Sequence, residues 1–296
     1  MGVLLFFVHT SYVLMHSLER LWASSIRKGY VFLTFYIRRI FRIYPLSMVT
    51  VSVLTIIGFP YTLPVARMFK VFVSNFFLVE NLTGQPHVTA VLWTLPIELQ
   101  MYLVLPLCFL VARRSIKAVI GLLGLAAIMG WWVIPIGGEH YEVFLFAPCF
   151  IAGVLAYAIY VHRKDIVEKF SGKYWAPILF ATVFVVGLIF RPDAYRSVMY
   201  GWATTIPLAF LIPFFKDMKD SWLSRASHQV AKYSFGIYLL HIPAIDLAHD
   251  NWLGAILLTA FFSVVAYHLI EAPFIRLGLS IPSFPNYKTS DSISLS

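Results

Sequence analysis

The stretch Val91–Pro106, VLWTLPIELQMYLVLP, decides how the chain is read. With its apolar continuation to Ala112 it is long enough to cross a bilayer, which takes about 20 residues, yet it carries Glu98 inside. A carboxylate in hydrocarbon is expensive, and membrane proteins keep one mainly where it faces a cavity, a partner or a reaction. Pro96 suits the first turn of a helix, where its missing N–H costs nothing. Glu98 then lies about one turn into the membrane, and Tyr102, at i+4, shares its face. Trp93 and Tyr102 also fit an interfacial aromatic belt. The plainer role for Glu98 is to pair with an arginine for packing.

Composition points to a bilayer as strongly as this helix does. Of 296 residues, 60% are hydrophobic, 17% aromatic and only 12% charged, against about 25% charged in a soluble domain. The net charge of +9 does not indicate a nucleic-acid partner, because the basic residues fall between apolar runs. Cys108 and Cys149 sit inside apolar segments and read as packing residues. No His, Cys and Asp combination has metal-ligand spacing, and no Gly-rich phosphate loop is present.

Working outward, Gly2–Met15 is an apolar run with neither a basic region before it nor a small-residue cleavage site after it, which argues against a signal peptide. His9 lies within it. Glu19–Arg42 is the most basic connection, and it ends in YIRRIFRIYP. Arg39 and Arg42 are i, i+3, and Arg38 and Arg42 are i, i+4, so a helix gathers all three on one side. A guanidinium fork suits phosphate oxygens, while a positive-inside anchor is the alternative use of the same residues.

Leu46–Gly58 reads as the next span, and Met68–Val79 as a helix at the interface. Asn81-Leu82-Thr83 is formally a glycosylation sequon. His87 stands close enough in sequence to approach Glu98, although a surface His is the commoner explanation. Further spans are expected at Ala118–Ile134, Val143–Val161, Trp175–Phe190, Val198–Phe215, Tyr233–Asp246 and Trp252–Ile270. His241 falls mid-span, with Tyr238 at i−3 and Tyr233 at i−8. Together these make about nine transmembrane helices, an all-α integral membrane bundle. With the Glu19–Arg42 connection in the cytoplasm, all but four of the 23 lysines and arginines fall inside, leaving Arg67, Lys70, Arg191 and Arg196 outside.

Four stretches give a family resemblance. Trp93–Tyr102 with Pro106 resembles the W-x-L-x-x-E-x-x-x-Y-x-x-x-P signature of the acyltransferase-3 family of integral membrane proteins. Arg38–Pro45 resembles its R-R-x-x-R-x-x-P motif, and Tyr233–Asp246, YSFGIYLLHIPAID, its S-Y-x-I-Y-L-x-H-x-P stretch. Glu271-Ala272-Pro273-Phe274 matches its E-x-P-F closing motif. Gly2–Met15 and the PCFIAGVLAY run at 148–157 resemble two more of its helices. The likeness covers residues 1–276 as one membrane domain, with 277–296 expected to be a disordered cytoplasmic tail.

The resemblance implies transfer of an acyl group, acetyl foremost, from acyl-CoA to a hydroxyl of a cell-surface or exported carbohydrate, in a bacterial inner membrane. No bound cofactor is implied; acyl-CoA is the donor substrate. Arg38, Arg39 and Arg42 would hold its phosphates and Glu98 would act in the buried site. The family's usual first helix, with an Arg and about eleven residues later a catalytic His, has no counterpart in the sequence, so an upstream start is expected. Failing that, His241, ahead of His9, is the substitute base. A transporter or flippase, or a non-catalytic membrane partner, are the rival classes, since intramembrane Glu, His and Arg also line substrate paths. No inverted repeat supports the transporter.

Overall fold

The computed structural model describes residues 2–24, 28–58, 65–189, 194–215, 222–249 and 251–281. Helices α1 (Gly2–Ser24) and α2 (Gly29–Ile56) open the chain, followed by α3 (Val65–Phe76) and the single turn α4 (Glu80–Thr83). A 3₁₀ turn, Ala90–Trp93, leads into α5 (Thr94–Arg114); α6 (Ile116–Val133), α7 (Glu142–His162) and short α8 (Lys164–Phe170) follow. Then come α9 (Trp175–Ile189), α10 (Ala194–Ala209), α11 (Trp222–Leu247), α12 (Trp252–Ala266) and α13 (Ala272–Ser280). No strand occurs among the described residues.

Among the described residues, five stretches can cross a membrane by length and composition: Gly29–Ile56, Ala90–Arg114, Ile116–Val133, Glu142–His162 and Trp252–Ser280. Apolar parts of α9 and α10 are shorter. The nine-span expectation is therefore met in its class, helical and membrane-crossing, and its count rests on helices outside this set.

Several boundaries differ from expectation for a physical reason. The arginines at 38–42 do not lie in a connection but within α2, because Val31, Phe35 and Ile43 keep one buried face running through them and nothing breaks the helix before Pro45. On the far side, α11 begins at Trp222, well before Tyr233. Glu271 does not close the last span: the helix widens into a π turn at Tyr267–Glu271 and continues as α13. Of the expected tail at 277–296, residues to Ser280 belong to α13, and those from 282 on lie outside the described residues.

The most enclosed helix is α7, buried without interruption from Pro148 to Ala158 and packed on α1, α5, α6 and α10. Gly153 permits this. A Cβ there would stand 2.0 Å from Ser11 Oγ and 2.2 Å from the Val8 carbonyl oxygen, so α1 and α7 touch backbone to backbone, as small residues allow between helices in lipid. The other part of the molecule is built on α2, which packs on α3, α13 and the π turn, while α11 and α12 form a tight hairpin. The candidate residues Glu98, Arg38, Arg39 and Arg42 lie where α2 meets α5.

Candidate functional site

Pro96 sits in the first turn of α5, where its missing N–H is tolerated. One turn later Glu98 and Tyr102 point to one side, 6% and 4% exposed. The Tyr102 hydroxyl donates to Glu98 Oε1. Tyr102 meets the ring of Phe35 edge-on (centroids 6.3 Å, 72°), and the Arg39 guanidinium lies 5.9 Å over that same Phe35 ring. No arginine makes a direct ion pair with Glu98 among the described residues; Arg39 and Arg42 lie near enough for their charge to favour the carboxylate. A charged residue at a helix centre costs about 2.5–3.5 kcal/mol on insertion scales, and one hydrogen bond to a charged group returns about 1.5–3 kcal/mol. The bond from Tyr102, with the arginines of α2, offsets part of that burial.

The arginines also face the other way. Arg38, Arg39 and Arg42 line a cavity of about 490 Å³ with Ser17, Arg20 and Ser24 of α1 and Ile275 and Leu279 of α13. The Nε atoms of Arg38 and Arg39 are buried and make no hydrogen bond among the described residues. Four guanidinium groups on one cavity form a strongly anion-attracting wall. Arg20, one of the basic residues of the Glu19–Arg42 connection, joins them because Ser17, Arg20 and Ser24 recur at i, i+3 and i+7 on the last turns of α1, a same-face spacing visible in the sequence.

His241 is placed elsewhere. Its Nδ1–H donates to the Tyr238 carbonyl at 2.8 Å, and the ring lines a larger groove, about 680 Å³, between α11 and α12 with Ile245, Asn251, Trp252 and Thr259. No hydrogen bond joins it to Glu98 among the described residues. Tyr238 is the residue of α11 that reaches the α5 side. Its hydroxyl donates to the Val91 carbonyl at 2.8 Å, which leaves its oxygen to accept from Thr94 Oγ1 at 2.6 Å, and Glu98 acts on it electrostatically. Phe6 of α1 stacks on Tyr238 (6.3 Å, 9°), and His9, one turn on, is exposed.

The two cavities occupy the two ends of one rod. Trp252–Ser280 is continuous helix; Trp252 to Thr259 line the groove and Ile275 and Leu279 the arginine cavity. At 1.5 Å per residue, Thr259 and Ile275 stand about 24 Å apart along it.

His87 does not approach Glu98. It pairs instead with the fully buried Glu80, Nδ1 to Oε1 3.4 Å. The sequon at Asn81 is also masked by the fold: Asn81 is fully buried and accepts a hydrogen bond from Gln100 Nε2 at 3.1 Å, so the folded chain does not present it for glycosylation. No group of metal-ligating side chains forms among the described residues.

Comparison with known proteins agrees with this geometry. A family model described as an acyltransferase domain matches residues 1–270. A protein of Acidianus two-tailed virus named as an acetyltransferase is 25% identical over 260 residues, covering 83% of this chain and 73% of its own. Nodulation protein 10 of Rhizobium leguminosarum bv. viciae is 25% identical over 332 aligned positions, covering 95% of this chain and 83% of its own. No solved structure matches the chain.

Proposed function

Because the chain belongs to the acyltransferase-3 family, we propose that it moves an acyl group, acetyl first, from acyl-CoA to a hydroxyl of a cell-surface or exported carbohydrate. The observation that supports this most is the continuity from a cavity walled by four arginines, through Arg39 and the Phe35 ring beneath it, to the buried Glu98–Tyr102 pair. Arg38, Arg39 and Arg42 hold the donor's phosphates, since planar guanidinium forks match phosphate oxygens. The thioester end then extends toward Glu98. In the transfer the acceptor hydroxyl gives up its proton, its oxygen bonds to the acyl carbon, the C–S bond breaks, and CoA leaves as the thiol with that proton. Glu98 takes the proton or orients the group that does, and nearby donors stabilise the oxyanion.

Where Glu98 is not the base, His241 is the first candidate for it, acting from the α11–α12 groove and not through a bond to Glu98. Its Nδ1–H is committed to the Tyr238 carbonyl, which fixes the tautomer and leaves Nε2 as a proton acceptor. The five membrane-crossing stretches are completed to nine by α1, α9, α10 and α11, with the arginine cavity on the cytoplasmic side of a bacterial inner membrane.

Purified protein is to be incubated with acetyl-CoA labelled in the acetyl group, with and without an oligosaccharide acceptor. Label reaching the carbohydrate, with free thiol released in step, supports the reading. Intact acetyl-CoA under all conditions, from monodisperse protein, would sink it.

A further inference from the structure

The closing motif Glu271-Ala272-Pro273 has no part in the chemistry above, yet the π turn at Tyr267–Glu271 ends on it. Pro273 has no N–H to give the Leu269 carbonyl, so the α-helical ladder fails at this point. The Ala272 N–H bonds to the Tyr267 carbonyl, five residues back. The wider turn changes which residues face inward, and π turns of this kind concentrate at functional sites. On its outer side Tyr267 packs edge-on against Tyr233 (5.2 Å, 85°) and under the Lys232 ammonium (4.7 Å).

Its inner side carries Glu271, only 2% exposed. Oε1 of Glu271 is buried and has no hydrogen-bond partner among the described residues. Gly236 of α11 makes the space: a Cβ there would come within 3.3 Å of Oε1 and 3.1 Å of the Ser263 backbone. An intramembrane carboxylate left unbonded is costly, and its retention calls for a function.

The turn that carries it also borders α2. The π turn and α13 both pack on that helix. Phe274 stacks on Phe41 (6.3 Å, 30°), and Ile275, one turn past Glu271, lines the arginine cavity. Arg42 directly follows Phe41 on that helix; it makes no direct ion pair with Glu271 among the described residues, so the two charges act on each other at a distance.

We propose that Glu271 is a positioning residue of the donor site, which the widened turn sets beside α2 so that its charge steadies the Arg42 guanidinium for a phosphate. This rests on the reading of the arginine cavity as the acyl-CoA site. The carboxylate does not touch the donor. It counters the mutual repulsion of Arg38, Arg39 and Arg42 when the cavity is empty, so that less has to be overcome when the donor binds.

The test is a double-mutant cycle on the full chain, read by equilibrium binding of coenzyme A and by KM and kcat for acetyl-CoA. Glu271→Gln is expected to weaken coenzyme A binding and raise KM about tenfold, with kcat changed by less than about twofold; Glu271→Asp recovers part of the loss. In an Arg42→Ala background, Glu271→Gln has no further effect, because the residue it acts through is gone. A structural role for Glu271 would instead give additive losses, and that result, or unchanged binding in Glu271→Gln, overturns the proposal. If Arg42→Ala itself binds coenzyme A normally, the donor-site reading is the one that fails, and the proposal falls with it. Should Glu271→Gln fail to fold, Glu271→Asp carries the test alone: a raised KM at constant kcat supports the role, and wild-type values for both refute it.

Discussion

The Tyr102 hydroxyl donates to the Glu98 carboxylate one turn before it on α5, and both side chains are buried against the arginines of α2. A carboxylate held in this way has one oxygen occupied by Tyr102 and the other left for chemistry.

Glu98→Gln keeps the shape and hydrogen-bonding capacity but cannot take a proton. It should lower kcat by about 10²–10⁴-fold, with the protein still monodisperse after solubilisation. Tyr102→Phe should cost less, on the order of tenfold. Near wild-type turnover in Glu98→Gln would reduce Glu98 to a packing partner.

For the arginines the discriminating change preserves charge. Arg39→Lys, Arg42→Lys and Arg20→Lys are each expected to raise the KM for acetyl-CoA, because a lysine loses the planar fork, without altering membrane abundance. A topology anchor would tolerate all three. Unchanged kinetics in every one would remove the phosphate-binding role.

If His241 takes the acceptor's proton, His241→Asn should reduce kcat by about 10²–10⁴-fold and leave KM for acetyl-CoA unchanged, since the ring lines the α11–α12 groove and not the arginine cavity. Combining it with Glu98→Gln should then add little, as groups acting as one unit are not additive. Full activity in His241→Asn would direct the search to His9.

Orientation can be read by thiol labelling, since Cys108 and Cys149 are buried and give little background. Lys117→Cys and Lys164→Cys should resist an impermeant reagent in intact cells, and Leu82→Cys, on the exposed side of α4, should react. The opposite pattern would invert the topology.

Gly153→Ala tests the packing of α1 on α7. The added methyl meets the Val8 carbonyl oxygen at 2.2 Å, which is backbone and cannot swing aside. A loss of about 1–3 kcal/mol, as for other overpacked cores, should appear as a lower melting temperature in detergent. Removing the Ser11 hydroxyl in the same protein should not restore it.

How much of this is legible in the sequence depends on whether one helix face holds the evidence. Glu98 and Tyr102 are a turn apart on α5, and Arg38, Arg39 and Arg42 a turn apart on α2, so spacing alone groups each set. The meeting of the two sets, through Phe35 under Arg39 and beside Tyr102, is tertiary and leaves no local trace. Arg20 and Tyr238 join from α1 and α11 for the same reason. The start of α2 is hidden because basic residues in a chain this apolar read as a loop, whereas arginine is a good helix former and Val31, Phe35 and Ile43 carry the buried face through them. The π turn is foreshadowed only by Pro273, whose presence warns of a break without indicating a bulge.

The rod Trp252–Ser280 sets the groove with His241 and the cavity with the arginines at opposite ends of the same helix. If, as proposed, a donor enters at one end and an acceptor at the other, neither molecule would have to traverse the bilayer. Only the acyl group would make the passage, handed over as one bond is exchanged for another. Such an enzyme would be vectorial without being a pump, its direction set by which compartment keeps the thioester.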